Sequence, residues 1–127
     1  MAVATFSQPD SVILARMAYT DVVIANGQSL SPAVDLGDRA LVGILISAAW
    51  TAAGLTFQVS PDGVTYGNMK DAAAEVAVAA LTAGDYVQLD PLKFMGARFI
   101  KIRSGTAGTP VVQGADRTLR LVCRDVQ

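Results

Sequence analysis

Apolar and polar residues alternate along this chain in short runs separated by turn-forming residues, and no run keeps a helical period over the length a helix needs. In residues 55–60, Leu55, Phe57 and Val59 fall on one side and Thr56, Gln58 and Ser60 on the other. Ser60-Pro61-Asp62-Gly63 follows, where proline presets φ and glycine tolerates the exit geometry, so a hairpin is expected with a return strand over 64–70. Residues 117–124 place Leu119, Leu121 and Cys123 inward and Thr118, Arg120, Val122 and Arg124 outward. In 97–103, Ile100 and Ile102 share one face, while Phe99, Lys101 and Arg103 share the other. Further strands are expected at 20–25, closed by Asn26-Gly27, at 33–36 before Gly37-Asp38, and at 86–89.

Three segments are less regular. In 40–49, Leu41 and Leu45 fall on one parity and Val42, Ile44 and Ile46 on the other, so both faces of this strand read as apolar. Either the chain's own arm or a loop covers the outer side, or a partner subunit does. Trp50 ends the run, as a core-edge residue or as an interface anchor. Residues 71–83 are alanine-rich and a helix competes there, but the alternation of Val76 and Val78 with alanine favours a strand over 75–80. Asp90-Pro91-Leu92-Lys93-Phe94 predicts one helical turn, with Asp90 as its cap and Pro91 at its first position. The Gly/Thr/Pro-rich segment 104–115 is a long loop, either a plain crossover between sheets or a contact element through Thr109 and Pro110.

About eight strands at near-regular spacing imply an all-β fold, a two-sheet antiparallel β-sandwich of jelly-roll type with at most one short helical turn. The strand order is not legible, and another Greek-key arrangement fits equally. One sandwich domain is expected over residues 19–127, preceded by an extended N-terminal arm over 1–18. The first ten residues read as a frayed end or as an arm that orders on a neighbour, with Phe6 its candidate contact.

Composition agrees with one core: 127 residues suit a single domain, and fifteen valines against eleven leucines tilt the chain toward strands. The apolar fraction of 52% overstates the core, because 21 residues are alanine. Charged residues are sparse, at 17% with a net of −1, which removes a broad electrostatic drive toward nucleic acid or an anionic membrane. No stretch approaches the roughly 18 apolar residues of a bilayer-spanning helix. The first residues lack the basic start and apolar run of a secretory signal, so export by that route is not expected.

The chemistry-bearing residues are few. The chain has no histidine and one cysteine, Cys123, which removes the commonest general base, the usual zinc ligand sets and any internal disulfide. Ten of the eleven acids are aspartates, several beside glycine or proline as turn formers, and no spacing singles out a facing pair. A non-enzyme with no catalytic, cofactor-binding or metal-ligating residue is therefore expected. Lys101, Arg103, Arg120 and Arg124 fall on outward faces of two strands. If those strands are neighbours they form a basic stripe, either solvated or facing an acidic partner surface.

Two segments carry a resemblance. Leu55-Thr-Phe-Gln-Val-Ser-Pro-Asp-Gly-Val-Thr-Tyr66, followed by Ala97-Arg-Phe-Ile-Lys-Ile-Arg103, resembles the paired motif of discoidin-like, galactose-binding-like jelly rolls. The flanking cysteines and ligand-loop aromatics of those sugar binders are missing. The wider run from Leu55 through residues 103–113 to Arg124 resembles phage head decoration, or cement, proteins. That resemblance implies a homo-oligomer, dimer or trimer, made in the host cytoplasm and bound to the major capsid protein on the outer surface of the phage head, with no nucleic acid or membrane partner. For such a protein the arm, strand faces, loop and basic positions named above offer the candidate contacts Phe6, Val42, Ile44, Ile46, Trp50, Lys101, Arg103, Thr109, Pro110, Arg120 and Arg124. The competing reading is a tail or baseplate adaptor or receptor-binding module of carbohydrate-binding-like fold.

Overall fold

The computed structural model describes residues 17–79 and 81–125. In chain order the strands are β1 (Met17–Ile24), β2 (Val34–Asp35), β3 (Arg39–Leu45), β4 (Leu55–Ser60), β5 (Gly67–Asn68), β6 (Lys70–Asp71), β7 (Ala74–Glu75), β8 (Ala77–Val78), β9 (Tyr86–Gln88), β10 (Phe99–Ser104) and β11 (Arg117–Asp125). A 3-10 turn, Pro91–Phe94, lies between β9 and β10. Every pairing is antiparallel.

The first sheet has the order β1-β11-β3-β9 and the second β2-β10-β4-β5. Strands β5 and β8 both pair with β4, at Gln58–Asn68 and Thr56–Ala77. They are two halves of one strand, interrupted by the β6–β7 hairpin, which closes where the Val76 N–H donates to the Met69 carbonyl at 3.0 Å. Counting that split strand once and setting the two-stranded hairpin aside leaves eight positions, ordered 1-8-3-6 in one sheet and 2-7-4-5 in the other. This is the order of a jelly roll, two Greek keys wound into a sandwich.

The inward side chains form one core. Val22, Ile24, Leu41, Ile44, Leu119 and Leu121 of the first sheet meet Leu55, Phe57, Ile100 and Ile102 of the second. Phe94 closes one end, its ring edge-on to Phe57 with centroids 5.1 Å apart. The 3-10 turn that delivers it is built as its sequence implies: the Asp90 carboxylate accepts from the Leu92 N–H, and Pro91 sits at the start.

Three segments depart from the alternation. In β3, Leu41 faces Cys123 but Gly43 faces Val122, so Val42 is an extra residue, a β-bulge. Side-chain parity flips across it. Leu41, Ile44 and Ile46 all enter the core and Leu45 turns outward, so the two apolar faces expected here are one. The return strand expected over 64–70 starts only at Gly67, because residues 61–65 wrap the Asp62 carboxylate, which accepts from the Val64 and Thr65 N–H groups and the Ser60 hydroxyl. Those donors hold the Asp62 carboxyl below its ordinary value. The single strand expected over 75–80 is divided between β7 and β8, after a turn in which Ala72 takes φ 56°.

The 105–116 crossover is pinned to the sandwich end by Gln113, which is fully buried. Its side-chain amide donates to the Thr51 carbonyl and the Ser104 hydroxyl and accepts from the Thr51 N–H and Arg117, while its backbone bonds Gly27 and Gln28. At the other terminus, β1 takes Met17 and Ala18, the last two residues of the expected 1–18 arm, into the sheet. The rest of that arm, Phe6 included, lies outside the described residues.

Candidate interaction surface

Directly opposed residues of an antiparallel pair project on the same side, so the register lists what each sheet shows to the outside. On the first sheet, Tyr19, Val122, Gly43 and Gln88 form one outward row, and Asp21, Arg120, Leu45 and Tyr86 the next. Met17 with Arg124 and Val23 with Thr118 flank them. Of the nine large apolar side chains exposed among the described residues, five lie on this face: Met17, Tyr19, Val23, Leu45 and Tyr86. Tyr19 is 65% exposed and Tyr86 52%, so these are open rings and not core edges. Gly43 makes the face flat: a Cβ there would collide with the Tyr86 hydroxyl, whose ring lies over the glycine.

The main polar feature of these rows is internally compensated. Arg120 donates to both carboxylate oxygens of Asp21, at 2.8 and 3.1 Å, and its guanidinium stacks 4.3 Å over the Tyr19 ring. The Arg120 hydrogen bond pulls the Asp21 carboxyl below its ordinary value and raises Arg120. A neutral, hydrogen-bonded pair among aromatic and aliphatic side chains is inexpensive to desolvate compared with a lone charge.

The outward positions of the second sheet are polar: Gln58, Asn68, Lys101, Thr56 and Arg103 among them. The chain's own loops cover much of them. Arg103, 6% exposed, donates to the Thr56 hydroxyl, the Asn68 side-chain carbonyl and Glu75, at 2.9, 3.1 and 3.0 Å. Glu75 in turn accepts from the Ala107 N–H, tying the hairpin to the long crossover. The Lys101 ammonium lies 4.2 Å over the Tyr66 ring.

The residues expected as contacts therefore divide. Ile44 and Ile46 are core residues, removed from any interface by the bulge at Val42. Val42 itself is half-buried, and its carbonyl accepts from the Leu89 N–H. Trp50 is half-buried against the core, its indole N–H donating to the Ala53 carbonyl at 3.1 Å, as a core-edge residue does. The basic stripe does not form, because Lys101 and Arg103 belong to one sheet and Arg120 and Arg124 to the other. Arg103 is internal, whereas Arg120 and Arg124 lie on the open apolar face. Thr109 and Pro110 are exposed at the crossover tip, where the Thr109 N–H donates to the Thr106 hydroxyl. Met17, Tyr19, Val23, Leu45 and Tyr86 are not among the contacts expected from the sequence. Apolar residues at both parities of 17–24 were the available signal.

Among the described residues, no group of three or more acidic or cysteine side chains is arranged to hold a metal ion, and no helix is long and apolar enough to cross a membrane. These features define a jelly-roll β-sandwich with one outer face covered by the chain's own loops and one that stays open among the described residues. No protein-family model matches the chain, and no curated protein matches it. Among solved structures, the crystal structure of SPBc2 prophage-derived protein YomS is similar, with a TM-score of 0.56 and 13% identity over 91% of this chain and 100% of the other. At that identity the likeness is one of fold.

Proposed function

We propose that this chain is a non-enzymatic structural protein of a bacteriophage particle, a decoration protein that binds the major capsid protein on the outside of the head and stabilises the shell. The observation that carries the reading is the open apolar face of the β1-β11-β3-β9 sheet, with Tyr19, Leu45 and Tyr86 exposed around a neutralised Asp21–Arg120 pair. Contiguous exposed apolar surface on a folded domain marks a place that another protein covers, and aromatic residues are favoured anchors in such places. The fold shared with a prophage-derived protein supports a phage setting. A ligand that binds the assembled shell and not its free subunits shifts stability toward the shell by mass action, so no catalytic group is required.

The test is co-sedimentation with undecorated phage heads. Wild-type protein is expected to pellet with heads to saturation and to raise the temperature at which they open. The Leu45→Asp/Tyr86→Ser double variant is expected to lose at least tenfold in occupancy while keeping its melting temperature. Binding to tails or baseplates and not to heads overturns the decoration reading, and unchanged head occupancy of the double variant removes this face from it.

A further inference from the structure

Strand β1 is the edge of its sheet, eight residues long, and its register with β11 is unbroken from Met17–Arg124 to Ile24–Arg117. In an antiparallel ladder successive residues turn their N–H and C=O groups to opposite sides, so about half of the β1 backbone groups point away from β11. Among the described residues no strand takes them. Natural edges are blunted by shortness, lysine, proline or a bulge. The other edges here are short: three residues in β9, two in β2 and two in each half of the split strand. Strand β1 has no lysine, proline or bulge, and its one charge, Asp21, is already paired with Arg120. Beside it, between the edges of the two sheets, opens a cleft of about 690 Å³ lined by β1 from Ala18 to Val23 and by the segment from Pro32 to Leu36, with Arg39 and Cys123 at its side.

We infer that β1 pairs with β1 of a second copy of this chain, antiparallel about a two-fold axis perpendicular to the sheet and passing beside Thr20. The occupant has to be an extended strand, because only that uses the backbone row that no described strand takes, and small side chains suit it where Ala18, Thr20 and Val22 turn toward Val34 and Leu36. Another β1 supplies both. A perpendicular two-fold keeps both cores on the same side of the joined sheet and sets one residue opposite its own copy. Centred on Thr20 or on Asp21, the pairing spans the same number of residues, and charge decides between them. The Asp21 centre sets two carboxylates face to face, which is destabilising. The Thr20 centre sets Tyr19 opposite Asp21 and Met17 opposite Val23 outside, with Ala18 opposite Val22 in the cleft. The product is an eight-stranded sheet whose two open apolar faces become one. The inference stands independently of what that face docks on.

Thr20 is exposed, so a charge placed there leaves the single chain able to fold. Light scattering on the wild type should give twice the 13.2 kDa chain mass. Thr20→Lys and Thr20→Glu should each weaken self-association at least tenfold, and an equimolar mixture of the two should restore it. Thr20→Cys should form a disulfide-linked dimer on mild oxidation, since facing residues in such a pair sit about 4.5 to 5.5 Å apart at Cα. Met17→Cys, which faces Val23 in this register, should not. A wild type that stays at the single-chain mass at its highest soluble concentration overturns the pairing, as does undiminished association of both charged variants.

Discussion

The two outer faces of this sandwich arise from the same alternation and end in opposite states. On the second sheet the positions between core residues are polar, and the chain folds back over them: Arg103 is sealed by Thr56, Asn68 and Glu75, and Glu75 reaches on to the 105–116 crossover. On the first sheet the corresponding positions hold Tyr19, Val23, Leu45 and Tyr86, and among the described residues they stay open. The alternation reports which side chains face the core. It does not report which outward faces the chain itself will cover, and that second property separates the closed face from the open one.

The largest effect is expected on the covered face. Removing one partner of a buried ion pair leaves the other charge without compensation, at a cost of about 3 to 5 kcal/mol. Because Glu75 keeps 22% of its side-chain surface, Arg103→Met should sit at the low end, about 3 kcal/mol, measured by urea denaturation. The double variant Arg103→Met/Glu75→Gln should recover part of that loss. A cost for the single variant under about 1 kcal/mol would mean that the loops, and not the ion pair, hold this face shut.

How far the sequence reveals this contrast depends on the residue. The inward sets Ile100 with Ile102, and Leu119, Leu121 with Cys123, are legible because their strands run without interruption and the period of two holds. The cap at Asp90 and the turn at Asp62 are legible because one side chain satisfies its own neighbouring N–H groups. The bulge at Val42 is not legible. Its cause is the pairing with β11, some eighty positions away, and without it Ile44 and Ile46 read as interface residues. The burial of Arg103 is equally invisible, since it depends on a hairpin inserted into another strand and on a crossover that closes over it. Local spacing therefore reaches the fold class, while the site depends on contacts between distant segments.

A second effect is expected at the junction of fold and face. Adding a Cβ at Gly43 drives the Tyr86 ring off the sheet, and overpacking of this kind costs about 1 kcal/mol when a side chain gives way and the backbone does not. Gly43→Ala should therefore destabilise by about that amount, and the same substitution in a Tyr86→Ala background should cost markedly less. Additive costs in that double-mutant cycle would show that Gly43 is required by the bulge and not by the ring.

Open positions should tolerate change. Tyr19→Ser or Leu45→Asp should alter the stability of the free protein by no more than about 0.5 kcal/mol, the range of surface substitutions away from special features. Reduced particle binding without a shift in melting temperature then locates the contact on this face. A drop in stability comparable to that of Arg103→Met would instead show that the face is covered in solution.

The smallest effect belongs to the Asp21–Arg120 pair, which is solvated in the free chain and to be read by pH and salt. The Asp21 carboxyl lies below its ordinary value of 3.8, chiefly through the Arg120 hydrogen bond. A carboxyl whose folded value is depressed contributes stability that is present above its unfolded value and is lost as pH falls through the folded one. The difference in melting temperature between wild type and Asp21→Asn should therefore be constant at neutral pH, shrink below 3.8 and vanish once Asp21 is protonated in both states. In the free protein it should also shrink in about 1 M salt, where screening acts over about 3 Å. If the chain docks on a phage shell as proposed, the face loses its water there, and the same substitution should weaken binding by an amount that salt no longer erases. Salt sensitivity that persists in the particle would place the pair at the rim of the contact.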